Sequence, residues 1–547
     1  MCGILFLDLD ASSPRADADA VAASHAARLK PRGPDASACE VACDGRHLLC
    51  FHRLAIIATA GQGGMQPLRR GTSRLICTGE VYNHRRLGDV DHGGVDVAVV
   101  LDLLVRDDAG GLLSDPQQVA DAVGRLDGDF AFVAVDEGSG SVVAARDPLG
   151  VRPLFMGLSA AGAVVAFASE AKALFGAPGV ADVRVFPPGH VCLLGGEAPA
   201  EGILRRYDYY ADEDQRTTTT TRAAPKVVVR RLLERAVEKR MLHSERPVAL
   251  LCSGGIDSAA ALSIATRLAK AAGAPAPRVF TMRYGPGQSD DAFYASMLCQ
   301  RLGCVHDVVS FGPDDLSDAT LRAVVTACET CDPNTVRAAL PMYLLAKHIA
   351  ERTDVKVVLS GEGADELFGG YGYFRLAPTP RDAADECGRL LRNLHMFDLL
   401  RADRCFAAHG LEVRVPFLDR DLVDGVARLD PDERVRGEKQ LLRDAVADLS
   451  ELAALRILDR PKEKFSDGAG FSYVPDLLRR LAADWGVNGD DGTLPCRLEA
   501  ERRAYAAMFE DAYGAPVGRW VVERTVPTWV EAAAKAAASS ANGCSLT

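Results

Sequence analysis

A short glycine-rich turn, Leu251 to Ser258, constrains the fold of this chain more than any other feature of its sequence. The apolar run Val248 to Leu251 leads into the turn, and an Ala/Leu/Ile pattern of helical period begins at Ala259. This order predicts a strand, a tight loop and the start of a helix. The backbone N–H groups of such a loop favour an anion, because they lie at the positive end of the helix. The turn therefore predicts a phosphate-binding loop, and a plain βα turn is the alternative.

The side chains of the turn extend this prediction to a nucleotide and a metal ion. Gly254 and Gly255 let the backbone approach a phosphate oxygen. Ser253 and Ser258 add hydroxyl donors, while Asp257 offers a carboxylate to Mg²⁺. The P-loop motif is absent, because no Lys follows the glycines. The turn instead resembles the SGGxDS loop of the ATP pyrophosphatase (PP-loop) family, which implies cleavage of ATP between its α- and β-phosphates.

The composition is that of a globular chain of several domains. It has 547 residues, of which 48% are apolar and 25% charged. The net charge of −12 argues against a nucleic-acid or membrane-surface role. No apolar run reaches the roughly 18 residues of a membrane span, and the first residues lack the basic start of a signal peptide. We therefore expect a cytoplasmic protein with no nucleic-acid or membrane partner.

The 15 cysteines form an odd, scattered set without the spacing of a disulfide framework. We expect free thiols in a reducing compartment. Cys328 and Cys331 form one CxxC motif, but a structural zinc site requires a second pair nearby. No metal is therefore predicted at this motif.

Cys2 is the most informative residue of the first half. Removal of Met1 is favoured when a small residue follows, and it would leave Cys2 as the N-terminus. A terminal α-amine has a pKa of about 7.7–8.0, so it can accept the proton of its own side chain. Cys2 is therefore predicted to be an N-terminal nucleophile, with a buried structural thiol as the alternative.

Short strand-like runs dominate the first 205 residues, at 4–7, 47–51, 74–77, 130–135, 142–145, 163–168 and 190–194. Seven motifs in this part resemble the class II glutamine amidotransferase domain, in order. They are RGPD from Arg32, HRLAI from His52, TGEVYNH from Thr78, DGDFAF from Asp127, ARDPLGVRPL from Ala145, ASEAKAL from Ala168 and FPPGH from Phe186. The resemblance implies an α+β N-terminal nucleophile (αββα) fold, with two stacked antiparallel sheets between helices, and hydrolysis of glutamine to glutamate and ammonia.

The same resemblance assigns roles at the glutamine site. It makes Cys2 the nucleophile and Arg53 the group that grips the glutamine carboxylate, which suits a bidentate guanidinium. It gives Gly79, Glu80 and Asp96 the task of holding the glutamine backbone and amine. Taken alone, each charged residue is more typical of a surface charge or a structural ion pair.

Thr78 departs from the family motif, which has Asn there as a donor to the oxyanion of the tetrahedral intermediate. Thr keeps one O–H donor on a shorter side chain. Loss of one oxyanion donor typically costs about 10²–10³ in rate. Either Thr78 and the Gly79 N–H suffice together, or the glutaminase activity is weak.

The sequence from Lys226 onward alternates helical and strand patterns, which favours an α/β domain with a doubly wound parallel sheet. The nucleotide of such a domain lies at the carboxyl ends of the strands. Ser253 and Ser360 both follow strand-like runs directly. Both serines are therefore predicted at the nucleotide site.

Three acids and four glycines crowd the stretch SGEGADELFGGY, which begins at Ser360. Packed carboxylates repel one another unless a cation or a catalytic role holds them. The stretch predicts a Mg²⁺ ion shared by Asp257 and Asp365. It also predicts Glu362 as a general base for an attacking amine. An acidic loop on a solvated surface is the alternative.

Five motifs of the second half, together with those of the first, resemble the glutamine-hydrolysing asparagine synthetase family over roughly residues 2 to 530. They are SGGIDS from Ser253, ETCDPNTVRAALPMYLL from Glu329, SGEGADELFGGY from Ser360, LEVRVPFLD from Leu411 and RPKEKFSDG from Arg460. The resemblance implies that aspartate attacks Mg-ATP to give β-aspartyl-AMP and pyrophosphate. Ammonia from glutamine then displaces AMP to yield asparagine.

This resemblance also assigns residues to the second reaction. Glu362 corresponds to the Glu that deprotonates ammonia, and Lys462 to a Lys that stabilises charge on the phosphates or intermediate. Arg337 and Arg414 correspond to the aspartate/AMP end of the site, with structural ion pairing as the alternative. The implied ATP-binding residues are Leu251, Ser253, Gly254, Gly255, Asp257, Ser258, Ser360 and Gly361.

Ala339 and Leu340 depart from the family, which has two hydroxyl residues there, and the change leaves the substrate geometry open. The predicted units are a glutaminase domain over 2–206, a linker over 207–225, a synthetase domain over 226–531 and a disordered tail over 532–547. The implied partners are glutamine, aspartate and ATP, and the resemblance allows a homodimer.

Three alternatives stay open at this point. One is a related amidotransferase or adenylating ligase that acts on another carboxylic acid, as the similar β-lactam synthetases do. Another is an ammonia-dependent enzyme with weak glutaminase activity. The third is a non-catalytic relative, which Thr78 and Leu340 would suit.

Overall fold

The computed structural model describes residues 1–12, 16–59, 63–88, 94–106, 111–195, 202–207, 223–285, 289–461, 494–514 and 525–530. These residues form three β-sheets. The strands of the first two sheets are β1 Gly3–Asp8, β2 Ala36–Ala42, β3 His47–Arg53, β4 Leu68–Arg70, β5 Ser73–Val81, β6 Gly128–Asp136, β7 Val142–Arg146, β8 Phe155–Leu158, β9 Val164–Ala168, β10 Asp182–Val185, β11 His190–Leu194 and β12 Ile203–Arg206. Those of the third are β13 Val248–Leu251, β14 Arg278–Tyr284, β15 His306–Phe311, β16 Val357–Leu359 and β17 Glu412–Arg414.

The helices surround these sheets. In the first part of the chain they are α1 Ala18–Ser24, α2 His84–Leu87, α3 Val99–Leu104 and α4 Pro116–Gly124. In the second part they are α5 Pro225–Leu242, α6 Ile256–Ala271, α7 Asp290–Leu302, α8 Asp318–Cys328, α9 Pro333–Arg352, α10 Ala364–Phe368, α11 Pro380–Asn393, α12 Asp398–Ala407, α13 Arg420–Ala427, α14 Pro431–Arg434, α15 Gln440–Ala445, α16 Ser450–Ala454 and α17 Leu494–Tyr513.

The first two sheets are antiparallel and stacked on each other. Their strand orders are β10-β8-β9-β1-β3-β2 and β12-β11-β7-β6-β5-β4. Ile4 and Phe6 of β1 lie in one buried cluster with Phe51 of β3, Ile76 of β5 and Val133 of β6. Alternate residues of a strand point to one face, so these side chains fill the space between the sheets. This is the pair of stacked antiparallel sheets that the amidotransferase resemblance implied.

The third sheet is parallel, with the strand order β15-β14-β13-β16-β17. The chain runs from β13 outward to β15 on one side and continues with β16 and β17 on the other. The winding direction therefore reverses between β13 and β16. Ligands bind in the crevice at such a reversal, outside the carboxyl ends of the strands. The predicted phosphate loop and the acidic stretch both begin there, after Leu251 and Leu359.

The strand predictions for the first domain are confirmed for β1, β3, β5, β6, β7, β9 and β11. No sequence pattern indicated the other five strands, which are β2, β4, β8, β10 and β12. Four of these have only three or four residues, which is too short for a recognisable alternation. β2 does alternate between partly buried and exposed residues, and it lies at the edge of its sheet.

The prediction of free thiols throughout the chain is wrong at one pair. Cys39 of β2 and Cys50 of β3 face each other in the register of the antiparallel ladder, and they form a disulfide. Directly opposed strand residues have neighbouring side chains, a relationship that sequence spacing does not reveal. Cys328 and Cys331 are free and buried.

The two domains meet through buried ion pairs as well as apolar contacts. Nη1 of Arg32 lies 2.8 Å from Oε1 of Glu170 in its own domain and 2.6 Å from Oδ2 of Asp403 in the other. Arg404 contacts Glu170 at 3.4 Å and Glu329 at 3.0 Å. Because all five side chains are almost fully buried, each charge depends on its partners. The network fixes how the domains sit against each other.

No helix within the described ranges is long and apolar enough to cross a membrane. Most of the predicted linker, residues 208–222, and all of the predicted tail lie outside the described residues.

Candidate functional site

Cys2 immediately precedes β1, and its side chain is partly buried. The Leu54 amide donates to its Sγ over 3.4 Å, and the same sulfur lies 3.9 Å from the Leu54 carbonyl oxygen. Burial raises the pKa of the Cys2 thiol, so its ionisation requires a base close by. Met1 is fully buried in front of it, with its amine donating to the Leu411 carbonyl oxygen over 3.5 Å. Met1 therefore occupies the space between Cys2 and the start of β17.

Thr78 and Gly79 of β5 lie beside Cys2. Thr78 is fully buried, and its Oγ1 donates to the Cys2 carbonyl oxygen over 2.8 Å. The expected oxyanion donor is thus engaged by the backbone of the nucleophile itself. Gly79 has a φ of 116°, and a Cβ there would lie 1.9 Å from the Asp129 carbonyl oxygen. Only glycine fits this position.

Arg53 ends β3 and is buried. Its Nη2 donates to the carbonyl oxygens of Ile57 over 3.2 Å and of Ala58 over 2.7 Å. A Cβ added to Gly64 would lie 3.1 Å from the same nitrogen. Both hydrogen bonds use Nη2, whereas a guanidinium also carries N–H donors on Nε and Nη1. The arrangement suits a bidentate hold on a carboxylate.

Glu80 and Asp96 converge on a histidine that no sequence pattern singled out. Nε2 of His243 lies 3.0 Å from Oε2 of Glu80 and 3.3 Å from Oδ2 of Asp96. The same Asp96 oxygen accepts from the Val81 amide over 2.6 Å. His243 directly follows α5 and belongs to the second domain. The two acids expected to hold glutamine therefore face a side chain from the other domain.

The charges in this cluster depend on one another. Burial raises the pKa of Glu80 to about 7, against the opposing effect of the Arg414 guanidinium. Burial alone would lower the pKa of His243, but hydrogen bonds to Asp96 and Glu80 raise it to about 9. His243 is therefore an imidazolium at neutral pH.

The predicted phosphate loop connects β13 to α6. Oγ of Ser258 accepts from the Ser253 amide over 3.1 Å and donates to the Gly255 carbonyl oxygen over 3.3 Å. A Cβ on Gly254 would lie 2.5 Å from the Cβ of Tyr294, so packing requires glycine. A Cβ on Gly255 would meet only the Ser253 Oγ, at 3.4 Å, so the loop is open on that side. The cradle lies at the N-terminus of a 16-residue helix, a position that favours an anion.

The loop that follows β16 touches this cradle. The Ser360 amide donates to the Arg414 carbonyl oxygen over 2.9 Å, which joins the ends of β16 and β17. A Cβ on Gly361 would lie 3.1 Å from the Cβ of Asp257. The two stretches that the sequence assigned to ATP, one after Leu251 and one after Leu359, are thus in contact.

Asp257 and Asp365 converge on a cation, and in this structure that cation is Lys439. Its Nζ lies 2.5 Å from Oδ2 of Asp257 and 2.7 Å from Oδ1 of Asp365. Lys439 is buried and precedes α15, far from both acids in sequence, so no pattern indicated it. Carboxylate oxygens that approach one point are the ligands Mg²⁺ prefers, so the two acids fit the ion.

Glu362 forms an ion pair with α12. Nη2 of Arg401 lies 2.7 Å from its Oε1 and 3.3 Å from an oxygen of Asp398. Arg401 is buried. The neighbouring Glu366 has a pKa raised to about 8 by burial and by the Asp398 and Asp365 carboxylates. Glu362 is therefore positioned by a guanidinium within an acidic cluster.

Arg414 is fully buried, and its guanidinium contacts acids on both sides of the domain boundary. Nε lies 2.7 Å from Glu412, and Nη2 lies 3.2 Å from Oε1 of Glu80. These contacts direct the side chain to Glu80 of the predicted glutamine site, whereas the family resemblance assigns it to the aspartate/AMP end. A strand's alternate residues point to opposite faces, and motif matching alone does not decide which neighbour they reach.

The remaining predicted residues divide into three cases. Nε of Arg337 donates to Glu501 of α17 over 2.9 Å. Ala339 and Leu340 are buried in the core around α9, so the lost hydroxyls are replaced by apolar packing. Lys462 lies outside the described residues.

The fold and these clusters define a two-domain amidotransferase, with an N-terminal thiol in one domain and a nucleotide cradle in the other. Residues 1–186 match the model of the glutamine amidotransferase domain family, and residues 228–388 and 378–539 match that of the asparagine synthase family. A relative from Gallus gallus, named asparagine synthetase (glutamine-hydrolyzing), is 35% identical over 545 residues, 93% of each chain. A relative from Schizosaccharomyces pombe, described as a probable enzyme of that name, is 35% identical over 563 residues, 95% of this chain and 96% of its own.

The chain belongs to the glutamine-hydrolysing asparagine synthetase family. Identity near 35% over almost the whole length means that the family relationship covers both domains.

Proposed function

We propose that the chain makes asparagine from aspartate, Mg-ATP and ammonia, and that it obtains the ammonia by hydrolysing glutamine. AMP, pyrophosphate and glutamate are the other products. One observation carries the proposal: a single chain places the Cys2 thiol beside a backbone donor and a glycine cradle beside two convergent carboxylates. The first arrangement suits acyl transfer and the second suits attack on a phosphate.

In the first reaction, Sγ of Cys2 attacks the amide carbon of glutamine. A C–S bond forms, and the C–N bond breaks. The α-amine of Cys2, available once Met1 is removed, takes the thiol proton and delivers it to the departing ammonia. Water then hydrolyses the thioester to glutamate. The Leu54 amide, 3.4 Å from the sulfur, stabilises negative charge on the thiolate.

The residues around Cys2 hold the substrate. Arg53 binds the glutamine carboxylate, and Glu80 and Asp96 bind its α-amine. The Gly79 N–H is our proposed main donor to the oxyanion, because the Thr78 hydroxyl already donates to the Cys2 carbonyl oxygen. Thr78 can help only when that hydrogen bond is broken, which predicts a modest glutaminase rate.

In the second reaction, the β-carboxylate of aspartate attacks the α-phosphorus of ATP, and pyrophosphate leaves. The amides of the loop before α6 bind the phosphates. Asp257 and Asp365 would hold Mg²⁺, which supplies charge neutralisation on the phosphates when bound. Glu362, oriented by Arg401, takes a proton from ammonia as its nitrogen attacks the acyl carbon and AMP leaves.

Further assignments follow from the family. Lys462 stabilises charge on the phosphates or the intermediate, and Arg337 lies at the aspartate/AMP end. We infer an N-terminal nucleophile (αββα) fold for 2–206 and an adenine nucleotide α-hydrolase-like fold for 226–531. The homodimer stays a prediction.

The test is Cys2→Ala, with Cys43→Ala as the matched control, because Cys43 is a partly buried thiol of the same domain. Asparagine is measured by mass with glutamine or with ammonium as the nitrogen source. We expect Cys2→Ala to abolish the glutamine reaction and retain the ammonium reaction, with Cys43→Ala active in both. Equal loss with both sources would contradict the two-site proposal. No pyrophosphate release with aspartate, but release with another acid, would indicate a different ligase.

A further inference from the structure

We propose that His243 occupies the position of the glutamine α-amine in the resting molecule. Glutamine then binds only after it displaces the imidazole or after the imidazole loses its proton. The inference rests on the proposed function, because it requires Glu80 and Asp96 to hold that amine. It makes a residue of the synthetase domain a determinant of glutamine affinity.

Competition follows from the geometry of the acceptors. Nε2 of His243 lies 3.0 Å from the Glu80 oxygen and 3.3 Å from the Asp96 oxygen. The same Asp96 oxygen already accepts from the Val81 amide. An ammonium group and an imidazolium both donate to carboxylates, and they cannot occupy the space between the same two oxygens. One cation therefore excludes the other.

The surroundings of the imidazole favour its charged form. Glu80 of β5 and Asp96, which precedes α3, face Nε2. The ring centroids of Tyr82 and His84 lie 5.6 Å and 5.1 Å from that of His243. Nη1 of Arg414 donates to the His243 carbonyl oxygen over 2.6 Å. The two carboxylates thus outweigh the opposing effect of burial, and the pKa of His243 is raised to about 9.

The position of His243 in the chain connects this competition to the second domain. His243 directly follows α5. The next strand, β13, begins at Val248 and leads into the predicted phosphate loop. Its carbonyl oxygen is held by Arg414, whose own carbonyl accepts from Ser360. The imidazole therefore belongs to a segment whose backbone leads to the nucleotide cradle.

The experiment measures steady-state glutaminase kinetics of the full chain for His243→Met and His243→Gln. His348→Met is the matched control, a partly buried histidine of α9 outside both sites. We expect the KM for glutamine to fall about tenfold at pH 7 in both His243 variants, since one charged competitor is removed, with kcat within about twofold. The control keeps the wild-type KM. Ammonium-dependent asparagine synthesis shows that each variant is folded.

The pH profile separates competition from a structural role. The ratio of wild-type to variant KM is expected to fall from about ten at pH 7 towards one above pH 9, where the imidazole loses its proton. Comparing the two proteins at each pH cancels titration of the substrate and of Cys2. A KM that is unchanged or raised in both variants, or a ratio independent of pH, would overturn the proposal.

Two further variants distinguish this inference from the proposed function. Glu80→Gln and Asp96→Asn are expected to raise the KM for glutamine. If they leave KM unchanged, the glutamine assignment itself fails. If they raise KM while neither His243 variant lowers it, the assignment stands and the role of His243 fails.

Discussion

Arg414 of the parallel sheet reaches across the domain boundary, where its Nη2 lies 3.2 Å from Oε1 of Glu80 in the antiparallel domain. Its backbone carbonyl accepts from the Ser360 amide at the nucleotide cradle. One buried residue thus touches parts of both candidate sites. A packed, charged residue of this kind is a physical connection through which occupancy of one site can bias the other.

Replacement of Arg414 tests this connection. Arg414→Met leaves Glu80 and Glu412 buried without their guanidinium, and breaking a buried ion pair typically costs about 3–5 kcal/mol of unfolding free energy. Without that charge the pKa of Glu80 rises further, so we expect weaker glutamine binding and a higher KM. Arg414→Lys keeps the charge but loses the fork geometry, and should be intermediate. Urea unfolding and glutaminase kinetics check both effects. Full stability in Arg414→Met would argue against the role.

Gly79 provides a backbone test of the glutamine site. A Cβ there would overlap the Asp129 carbonyl oxygen, so Gly79→Ala must distort the β5–β6 pair beside Cys2. We expect loss of glutamine-dependent synthesis with the ammonium reaction retained. Gly94→Ala is the control, since Gly94 also has a positive φ but nothing within 4 Å of its added Cβ. Equal activity of the two variants with glutamine would contradict the packing argument.

Lys439 gives a test of the Mg²⁺ assignment that does not depend on activity. Lys439→Met removes the ammonium that bridges Asp257 and Asp365, so the acids should recruit a divalent cation in its place. We expect MgCl₂ to raise the Tm of this variant more than that of the wild type, because an ion that binds only the folded state stabilises it. The double variant Lys439→Met with Asp365→Asn should lose the extra shift. Identical Mg²⁺ shifts in all three proteins would count against a shared site.

Glu412 predicts the acid sensitivity of the domain boundary. Burial would raise its pKa, but Arg152 and Arg414 lower it to about 2. A carboxylate with a depressed pKa stabilises the fold above its unfolded value of about 4.3, and this contribution is lost as the pH falls towards 2. We expect the unfolding free energy to fall over this window in urea titrations.

The matched variants make that expectation specific. Glu412→Gln should have a lower free energy of unfolding than the wild type at pH 7. Because Gln does not titrate, this free energy should fall less steeply between pH 4.5 and 2. Glu499→Gln, at an exposed position of α17, should follow the wild type. Parallel pH profiles for the wild type and Glu412→Gln would refute the assignment.

Processing of the N-terminus is directly measurable. Met1 is buried between Cys2 and Leu411, and the proposed base is the α-amine of Cys2. We expect the intact mass of active protein to correspond to a chain that begins at Cys2. Full glutaminase activity in a preparation that retains Met1 would exclude the α-amine as the base.

Local patterns in the sequence predicted the elements that depend on neighbouring residues. The apolar run before Ser253, the two glycines and the helical pattern after Asp257 specify a strand, a turn and a helix, and the structure has them as β13, the loop and α6. The alternation of strands and helices likewise predicted a parallel sheet. Such patterns are readable because backbone geometry repeats every two or 3.6 residues.

Contacts between distant segments had no such signal. The disulfide of Cys39 and Cys50 depends on the register of two strands. The resemblance assigns Arg414 to the aspartate/AMP end of the synthetase domain, whereas its guanidinium contacts Glu80 in the structure. The motif around Arg414 does not show which face of β17 its side chain occupies. These residues meet their partners only after the sheets have formed and the domains have packed.

The sequence by itself determined a cysteine after the first residue, a glycine-rich turn between an apolar strand and a helix, and a family relationship along nearly its whole length. Only the tertiary structure decided that Lys439 pairs with both Asp257 and Asp365 and that His243 and Arg414 contact Glu80 from the other domain. The physical reason is that backbone conformation follows local residue patterns, whereas the partner of a buried charge is selected by whichever opposite charge the packed domains bring within a few ångströms.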